Sequence, residues 1–329
     1  MYDVHQSIYH QQSRSRPQFD TSLICVPCPD NIWDATTASE WQVQHAGYSI
    51  QYLDFVEQDS ASQHLMSRSP FTQSLFICKL ATRLPRDDPA YPNDFLPHSI
   101  QPAVAHLSGI YPNSPLVHTY LALHHTPLHD LLAIAGDTWV FGRKITPPSA
   151  FHAAQARLKT WSVSLAAAAA TQNACHFLQN ALASDSGPRL VEQPGEPYSG
   201  GLYCITDYWA IYVSALICWA FGHRQSSSGT VSRNSPVSAI NNFNMDLDSP
   251  QTPVDESRLK ALNYVTGMLS INTEDLLTTR LRGDTSGLID AVKARLEIDG
   301  TGAKCMTIND AIQVLTRIKE GRRSRARFF

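Results

Sequence analysis

The sequence predicts an all-α fold of many helices, with a buried apolar helix, a disordered insertion and an amphipathic helical segment at the C-terminus. Three observations predict this fold class. Apolar residues recur at helical intervals along most of the chain. Strict alternation of apolar and polar residues, which would indicate strands, is confined to short pieces such as Ser74–Lys79. Alanine, the best intrinsic helix former, crowds the region 165–183.

The composition is that of an ordinary globular protein. Hydrophobic residues make up 43% and charged residues 17% of the 329 positions, and a chain of this length can bury a sizeable core. A net charge of −3 provides no overall basic field for binding DNA. The seven cysteines are scattered, and no secretory signal opens the sequence. They are therefore predicted to be reduced thiols of an intracellular protein.

Four segments are predicted along the chain. Residues 1–20 are rich in polar side chains, lack periodicity and are predicted to be irregular. Residues 21–222 form a helical domain. Residues 223–256 are rich in Ser, Asn and Pro and cannot bury enough apolar surface to offset their chain entropy, so a disordered linker is expected. Residues 257–329 return to helical periodicity and complete the same domain.

Two helices of the first part have clear signals. The run Tyr208–Phe221 is apolar on every side, which indicates a buried helix, and it is shorter than the roughly 20 residues that span a bilayer. No membrane association is therefore expected. The other helix is predicted to begin at Thr126 as N-cap and Pro127 as first residue, and to stop at Gly136.

The C-terminal part is predicted to contain three or four amphipathic helices. Each is indicated by a stripe of apolar residues at helical spacing that would face the core. The stripes consist of Leu259, Leu262, Val265 and Leu269, then Leu288, Ala291, Val292 and Leu296, and finally Ile308, Ala311, Ile312, Leu315 and Ile318.

The C-x-x-C pair Cys25 and Cys28 raises the question of a zinc site. A structural zinc ion needs two further Cys or His ligands, usually as a second close pair, and no such pair follows. Prolines flank the motif and indicate a rigid entry into a short helix with Trp33 and Trp41. We therefore expect packing rather than metal binding in this segment.

The richest histidine group is His118, His124, His125 and His129, beside Asp130. A proline between His125 and His129 disturbs the helical spacing that a metal site would need, and no metalloprotease glutamate accompanies them. Nucleophile-elbow, phosphate-loop and dinucleotide-binding patterns do not occur in the sequence. No catalytic, cofactor-binding or metal-binding residue is therefore predicted, and the chain is not expected to be an enzyme.

The C-terminal tail carries an arginine cluster. One hypothesis is a nuclear-import signal or a tail that contacts phosphates, since clustered arginines release counterions from nucleic acid. The alternative is that these cations complete the C-terminal end of the last helix and offset its dipole. The residues concerned are Arg322, Arg323, Arg325 and Arg327.

Several blocks, taken in order, resemble the fungal-specific transcription factor domain, the helical regulatory region of fungal zinc-finger regulators. The resemblance covers roughly residues 15–222 and 257–329, and is strongest to versions attached to two-Cys-two-His fingers. The blocks are Leu23-Ile-Cys-Val-Pro-Cys-Pro-Asp-Asn-Ile-Trp-Asp-Ala35 with Glu40-Trp41, Thr126–Lys144, Phe151–Trp161, Tyr208–Gly222 and Asp310–Phe329.

The resemblance implies a nuclear regulator of transcription by RNA polymerase II that acts through protein partners, self-association or a small-molecule effector. No paired Cys/His finger and no six-Cys cluster precede these blocks, so zinc and DNA binding are expected only in a module that this sequence lacks. A truncated gene model and a stand-alone domain both remain open. The alternative is a helical small-molecule-binding or interaction scaffold without transcriptional role, with Tyr203, Trp209 and Trp219 as possible pocket aromatics.

Overall fold

A computed structural model describes residues 8–9, 11, 25–50, 52, 69–82, 84, 102–136, 139–140, 143–144, 147–183, 205–223, 253–300 and 306–323. Most of these residues are helical, which confirms the all-α prediction. The helices are α1 (Asp30–Trp33), α2 (Ala38–His45), α3 (Pro70–Ala81), α4 (Pro102–Ile110), α5 (Pro115–His124), α6 (Leu128–Ala135), α7 (Pro148–Trp161), α8 (Leu165–Ala183), α9 (Ile205–Gly222), α10 (Pro253–Leu269), α11 (Ser286–Gly300) and α12 (Met306–Arg323).

Short elements connect some of the helices. Strands β1 (Trp139–Val140) and β2 (Arg143–Lys144) form a minimal antiparallel pair after α6, with Trp139 opposite Lys144. Two 3₁₀ turns, Asp275–Leu277 and Leu281–Gly283, lie between α10 and α11. These pieces leave the architecture helical.

Helix α8 lies at the centre of the fold. It contacts α5, α9 and α10 along its length. Its buried face is built largely of alanine, including Ala167, Ala168 and Ala170, with Leu178 further along. Small side chains let neighbouring backbones approach closely, so one helix can serve three partners. The alanine-rich region thus provides the surface on which the other helices pack.

Helix α9 is the apolar helix that the sequence predicts. Every residue from Ala210 to Gly222 is buried, among them Trp219 and Phe221. It contacts α8 on one side and α11 on another, so both faces are covered. No helix in the described ranges is long and apolar enough to cross a membrane.

The C-terminal helices confirm two of the three predicted stripes. Leu288, Val292 and Leu296 are fully buried on α11, and Leu315 on α12. On α10 the predicted stripe is right in part: Val265 is fully buried and Leu262 and Leu269 pack against the core, but Leu259 is 55% exposed. Beside Val265, the face that packs against α11 and α8 also carries Ala261, Tyr264 and Met268, which the prediction did not include.

The joint between α5 and α6 also differs from the prediction. Gly136 does end α6, with a left-handed φ of 103° that suits a residue without a Cβ. The helix, however, begins at Leu128 with Pro127 as its N-cap residue. The Thr126 hydroxyl turns back and donates to the Ala122 carbonyl at 2.7 Å, so it does not cap α6.

Two predicted boundary segments lie mostly outside the described residues. Of the expected irregular N-terminus, 1–20, Ile8 and Tyr9 are helical and Tyr9 is buried. Of the expected disordered linker, 223–256, His223 and residues 253–256 are described, and α10 has already begun at Pro253.

Candidate functional site

The α5–α6 joint receives side-chain hydrogen bonds from distant parts of the chain. The indole Nε1 of Trp161, the last residue of α7, donates to the His125 carbonyl at 2.7 Å. The Gln11 amide donates to the Leu123 carbonyl at 2.9 Å and to the Thr126 carbonyl. Its Oε1 accepts from the Leu128 backbone N–H at 3.0 Å, so Gln11 supplies the cap that Thr126 does not provide.

A histidine pair links α5 to α8. The rings of His118 and His176 stack with centroids 4.5 Å apart and an interplanar angle of 16°. His118 Nδ1 lies 3.1 Å from Asn173 Oδ1, and Nε2 lies 2.9 Å from the Pro112 carbonyl oxygen. Because the Asn173 amide nitrogen donates to the Ala169 carbonyl at 2.9 Å, its oxygen must face the imidazole.

Both histidines are held towards the neutral form. Burial lowers the pKa of His118, although its two oxygen neighbours act in the opposite direction. Burial also lowers the pKa of His176, and the charge of a protonated His118 adds to this effect. An imidazolium at either position is therefore less favourable in the folded chain than in the unfolded chain.

We expect the free energy of unfolding to fall as the pH is lowered from 7.5 to 5.5. The unfolded chain takes up protons near the ordinary histidine pKa of about 6.5, whereas the folded pair resists protonation until lower pH. The stabilisation that comes from the neutral histidine pair is therefore complete above about pH 6.5 and is lost as the pH falls below that value. Urea unfolding at a series of pH values measures this slope.

The control for this prediction separates the pair from other histidines. Replacing His118 and His176 by Gln should flatten the dependence on pH, whereas His152→Gln, at an exposed position of α7, should preserve it. An unchanged slope in the double variant would mean that other groups cause the pH dependence.

A buried thiol pair lies between α8 and α9. The Sγ atoms of Cys175 and Cys218 are 4.0 Å apart, and both residues are fully buried. The contact with the Cys218 thiol, together with burial, raises the pKa of Cys175. Burial also raises the pKa of the nearby Tyr264 hydroxyl, so both groups stay protonated at neutral pH. The cluster is thus a neutral part of the core, and all five described cysteines are free thiols.

The residues considered for metal binding do not assemble. In the part of the chain that the structure describes, no group of three or more His, Cys, Asp or Glu side chains could hold a metal ion. Of the histidine group, His118 and His125 are buried and His129 is exposed. Asp130 forms a bidentate ion pair with Arg157 across α6 and α7, at 2.8 and 2.6 Å.

The expectation that the Cys25–Trp41 segment is packed is wrong for most of its side chains. Trp33 is 71% exposed and Trp41 is 45% exposed and stacked on His45, while Cys25 is also exposed. Val26 is the residue of this segment that enters the main core, and its carbonyl accepts a hydrogen bond from the Tyr48 hydroxyl at 3.2 Å. The aromatic residues therefore lie at the surface.

The remaining predicted positions are only partly described. Trp209 is half-buried beside Tyr212, with ring centroids 5.6 Å apart, and Trp219 is fully buried. Tyr203 lies outside the described residues. In the arginine tail, Arg322 and Arg323 are the last two residues of α12. Arg325 and Arg327 lie outside the described residues.

Comparisons of the chain with protein-family models, with curated proteins and with solved structures give no match. The family resemblance noted in the sequence therefore stays a prediction that rests on its motifs.

Proposed function

We propose that this chain is the regulatory portion of a fungal transcription factor, that it does not itself read DNA, and that it acts in transcription by RNA polymerase II. In this proposal the chain is not an enzyme, works in the nucleus through protein partners or self-association, and uses zinc only through a separate DNA-binding module. One observation supports the proposal: the block Thr126–Lys144 contacts the block Phe151–Trp161 and the block Tyr208–Gly222 through α6, and it receives a hydrogen bond from Arg317 of the closing block.

Two hydrogen bonds illustrate this relation between blocks. Trp161, which ends the third block, donates to the carbonyl of His125, next to the block that begins at Thr126. Arg317, in the closing block, donates through Nη1 to the Gly136 carbonyl at 3.3 Å.

A tethering assay tests the proposal. The full chain is fused to a heterologous DNA-binding domain in a fungal host with a reporter gene downstream of the cognate sites. We expect a change in reporter expression relative to the DNA-binding domain alone. The variant Arg280→Met, at an exposed position, should behave as the parent does. Reporter expression that equals the baseline at equal fusion abundance would contradict a transcriptional role.

A gel-shift measurement tests the second half of the proposal. The purified chain at moderate salt should show no sequence-selective shift of DNA, because its net charge of −3 provides no overall basic field for binding DNA. Tight binding that discriminates between sequences would contradict this assignment while leaving a transcriptional role intact.

Nuclear accumulation is expected to depend on the arginine tail if that tail is an import signal. Replacing Arg322, Arg323, Arg325 and Arg327 by Ala should abolish nuclear accumulation of a fluorescent fusion, since import signals are read through clustered positive charge. Replacing the same four residues by Lys keeps the charge and should preserve uptake. Unchanged uptake of the alanine variant would show that the tail serves only the end of α12.

A further inference from the structure

The N-terminal residues Ile8, Tyr9 and Gln11 lie against helices that are more than a hundred positions away in sequence. We call them the strap, and we call the surface beneath them, formed by Tyr120, Leu123, Thr126 and Leu128, the strap groove. Tyr9 is buried and meets Tyr120 edge-to-face, with centroids 6.0 Å apart and an interplanar angle of 84°. The strap therefore contributes a ring to the core.

The Gln11 side chain matches the polar atoms of the strap groove. Its amide nitrogen donates to the Leu123 and Thr126 carbonyls, and its amide oxygen accepts from the Leu128 N–H. A side-chain amide can donate hydrogen bonds through its nitrogen and accept them through its oxygen. An ionised carboxylate cannot donate, and an aliphatic side chain can do neither. The groove consequently recognises glutamine at this position.

The backbone of Gln11 gives an independent indication. Its φ is +47°, and no other non-glycine residue among those described has a positive φ. Such a conformation persists only when surrounding contacts impose it, and it is concentrated at clamps and switch regions. The bonds to the strap groove supply that constraint, so Gln11 is held in a conformation that it would leave on release.

We propose that the strap groove is a peptide-binding site for segments that carry an aromatic residue two positions before a glutamine, and that Ile8, Tyr9 and Gln11 occupy it as a releasable strap. The contacts of the strap include the Tyr9 ring, the Gln11 amide and the partly buried Ile8 side chain, and each such contact is small beside the chain entropy that it restricts. Local release therefore leaves the helical core intact. It exposes the Tyr120 ring and the polar groups of the α5–α6 joint to a competing segment.

The test uses the full chain as the receptor. A fluorescein-labelled peptide that copies residues 4–15 is titrated into the wild-type chain and into the full-length Tyr9→Ala/Gln11→Ala variant, with fluorescence anisotropy as the readout. We expect saturable binding to the variant that is at least about tenfold tighter than to wild type, where the strap competes from within the same chain. A peptide carrying the same two substitutions should bind the variant at least about tenfold more weakly than the native peptide.

The possible outcomes decide the proposal. Equal affinity for the two receptors, equal affinity of the two peptides or an absence of binding to either receptor would overturn it. If circular dichroism shows that the double variant is unfolded, hydrogen exchange of the Leu128 amide in Gln11→Ala replaces the titration. Exchange there should accelerate at least about tenfold in Gln11→Ala, while exchange in α8 is unchanged. Unaltered exchange in Gln11→Ala would equally reject the strap.

Discussion

Replacement of Arg282 by Met is expected to lower the free energy of unfolding by about 3–5 kcal/mol, because three backbone carbonyls would lose their donor at once. Arg282 is buried, and its guanidinium donates to the carbonyls of Phe221 at 2.9 Å, Leu277 at 3.0 Å and Ser162 at 2.9 Å. Each buried acceptor left without a partner costs about 1–3 kcal/mol.

The planar guanidinium is specific to this role. Its fork reaches three directions at once, and its carbon lies 4.1 Å from the centre of the Phe221 ring. Arg282→Lys keeps the charge but cannot reproduce the fork, so it should recover only part of the loss. Urea unfolding followed by circular dichroism measures both variants.

The matched control is Arg280→Met, two residues away on an exposed part of the same 3₁₀ region. It should change the free energy of unfolding by less than about 0.5 kcal/mol, since surface substitutions away from special contacts are nearly neutral. Equal losses in Arg282→Met and Arg280→Met would show that the carbonyl bonds of Arg282 are not the source of stability.

Arginines serve the same purpose at other helix ends. Arg258 donates to the Leu182 and Ala183 carbonyls at the end of α8, both at 2.9 Å. Arg317 donates to Gly136 at the end of α6, and Arg282 reaches the ends of α9 and α7. The last carbonyls of a helix have no intrahelical donor and carry its negative dipole end, so a cation is favoured there. Four helix ends of the fold are therefore joined by three side chains.

Local sequence predicted the features that depend on local physics. The apolar run of α9, the stop at Gly136 and the α11 stripe follow from helical periodicity or from the backbone of a single residue. These signals lie within one or two helical turns. They are readable because the residues that cause the structure are also neighbours in the chain.

The features that sequence failed to predict depend on distant partners. The cap of α6 comes from Gln11, 117 residues away, and no local pattern at Thr126 could indicate it. The orientation of α10 is set by what packs on it, so Leu259 faces solvent although its spacing suits a core face. Hydrophobic spacing allowed more than one face, and tertiary packing selected the face with Ala261 and Tyr264.

Replacement of Gly222 by Ala is expected to destabilise the fold by about 3 kcal/mol or more, although alanine is the better helix former. Gly222 is the last residue of α9, and a Cβ there would lie 2.2 Å from the Arg282 carbonyl oxygen and 3.1 Å from Thr285 Cγ2. The first of these contacts is with backbone, so no rotamer change relieves it. The 3₁₀ turn would have to move, which would also displace the Arg282 guanidinium from its three acceptors.

Gly109 provides a matched control, because it also lies near the end of a helix, α4, and a Cβ there would meet nothing within 4 Å. Gly109→Ala should raise the free energy of unfolding by about 0.5–1 kcal/mol through helix propensity alone. The two substitutions are chemically identical, so their opposite signs isolate the close approach of α9 to the Leu281–Gly283 turn. If Gly222→Ala stabilised the chain as much as Gly109→Ala, that close approach could not be present in solution.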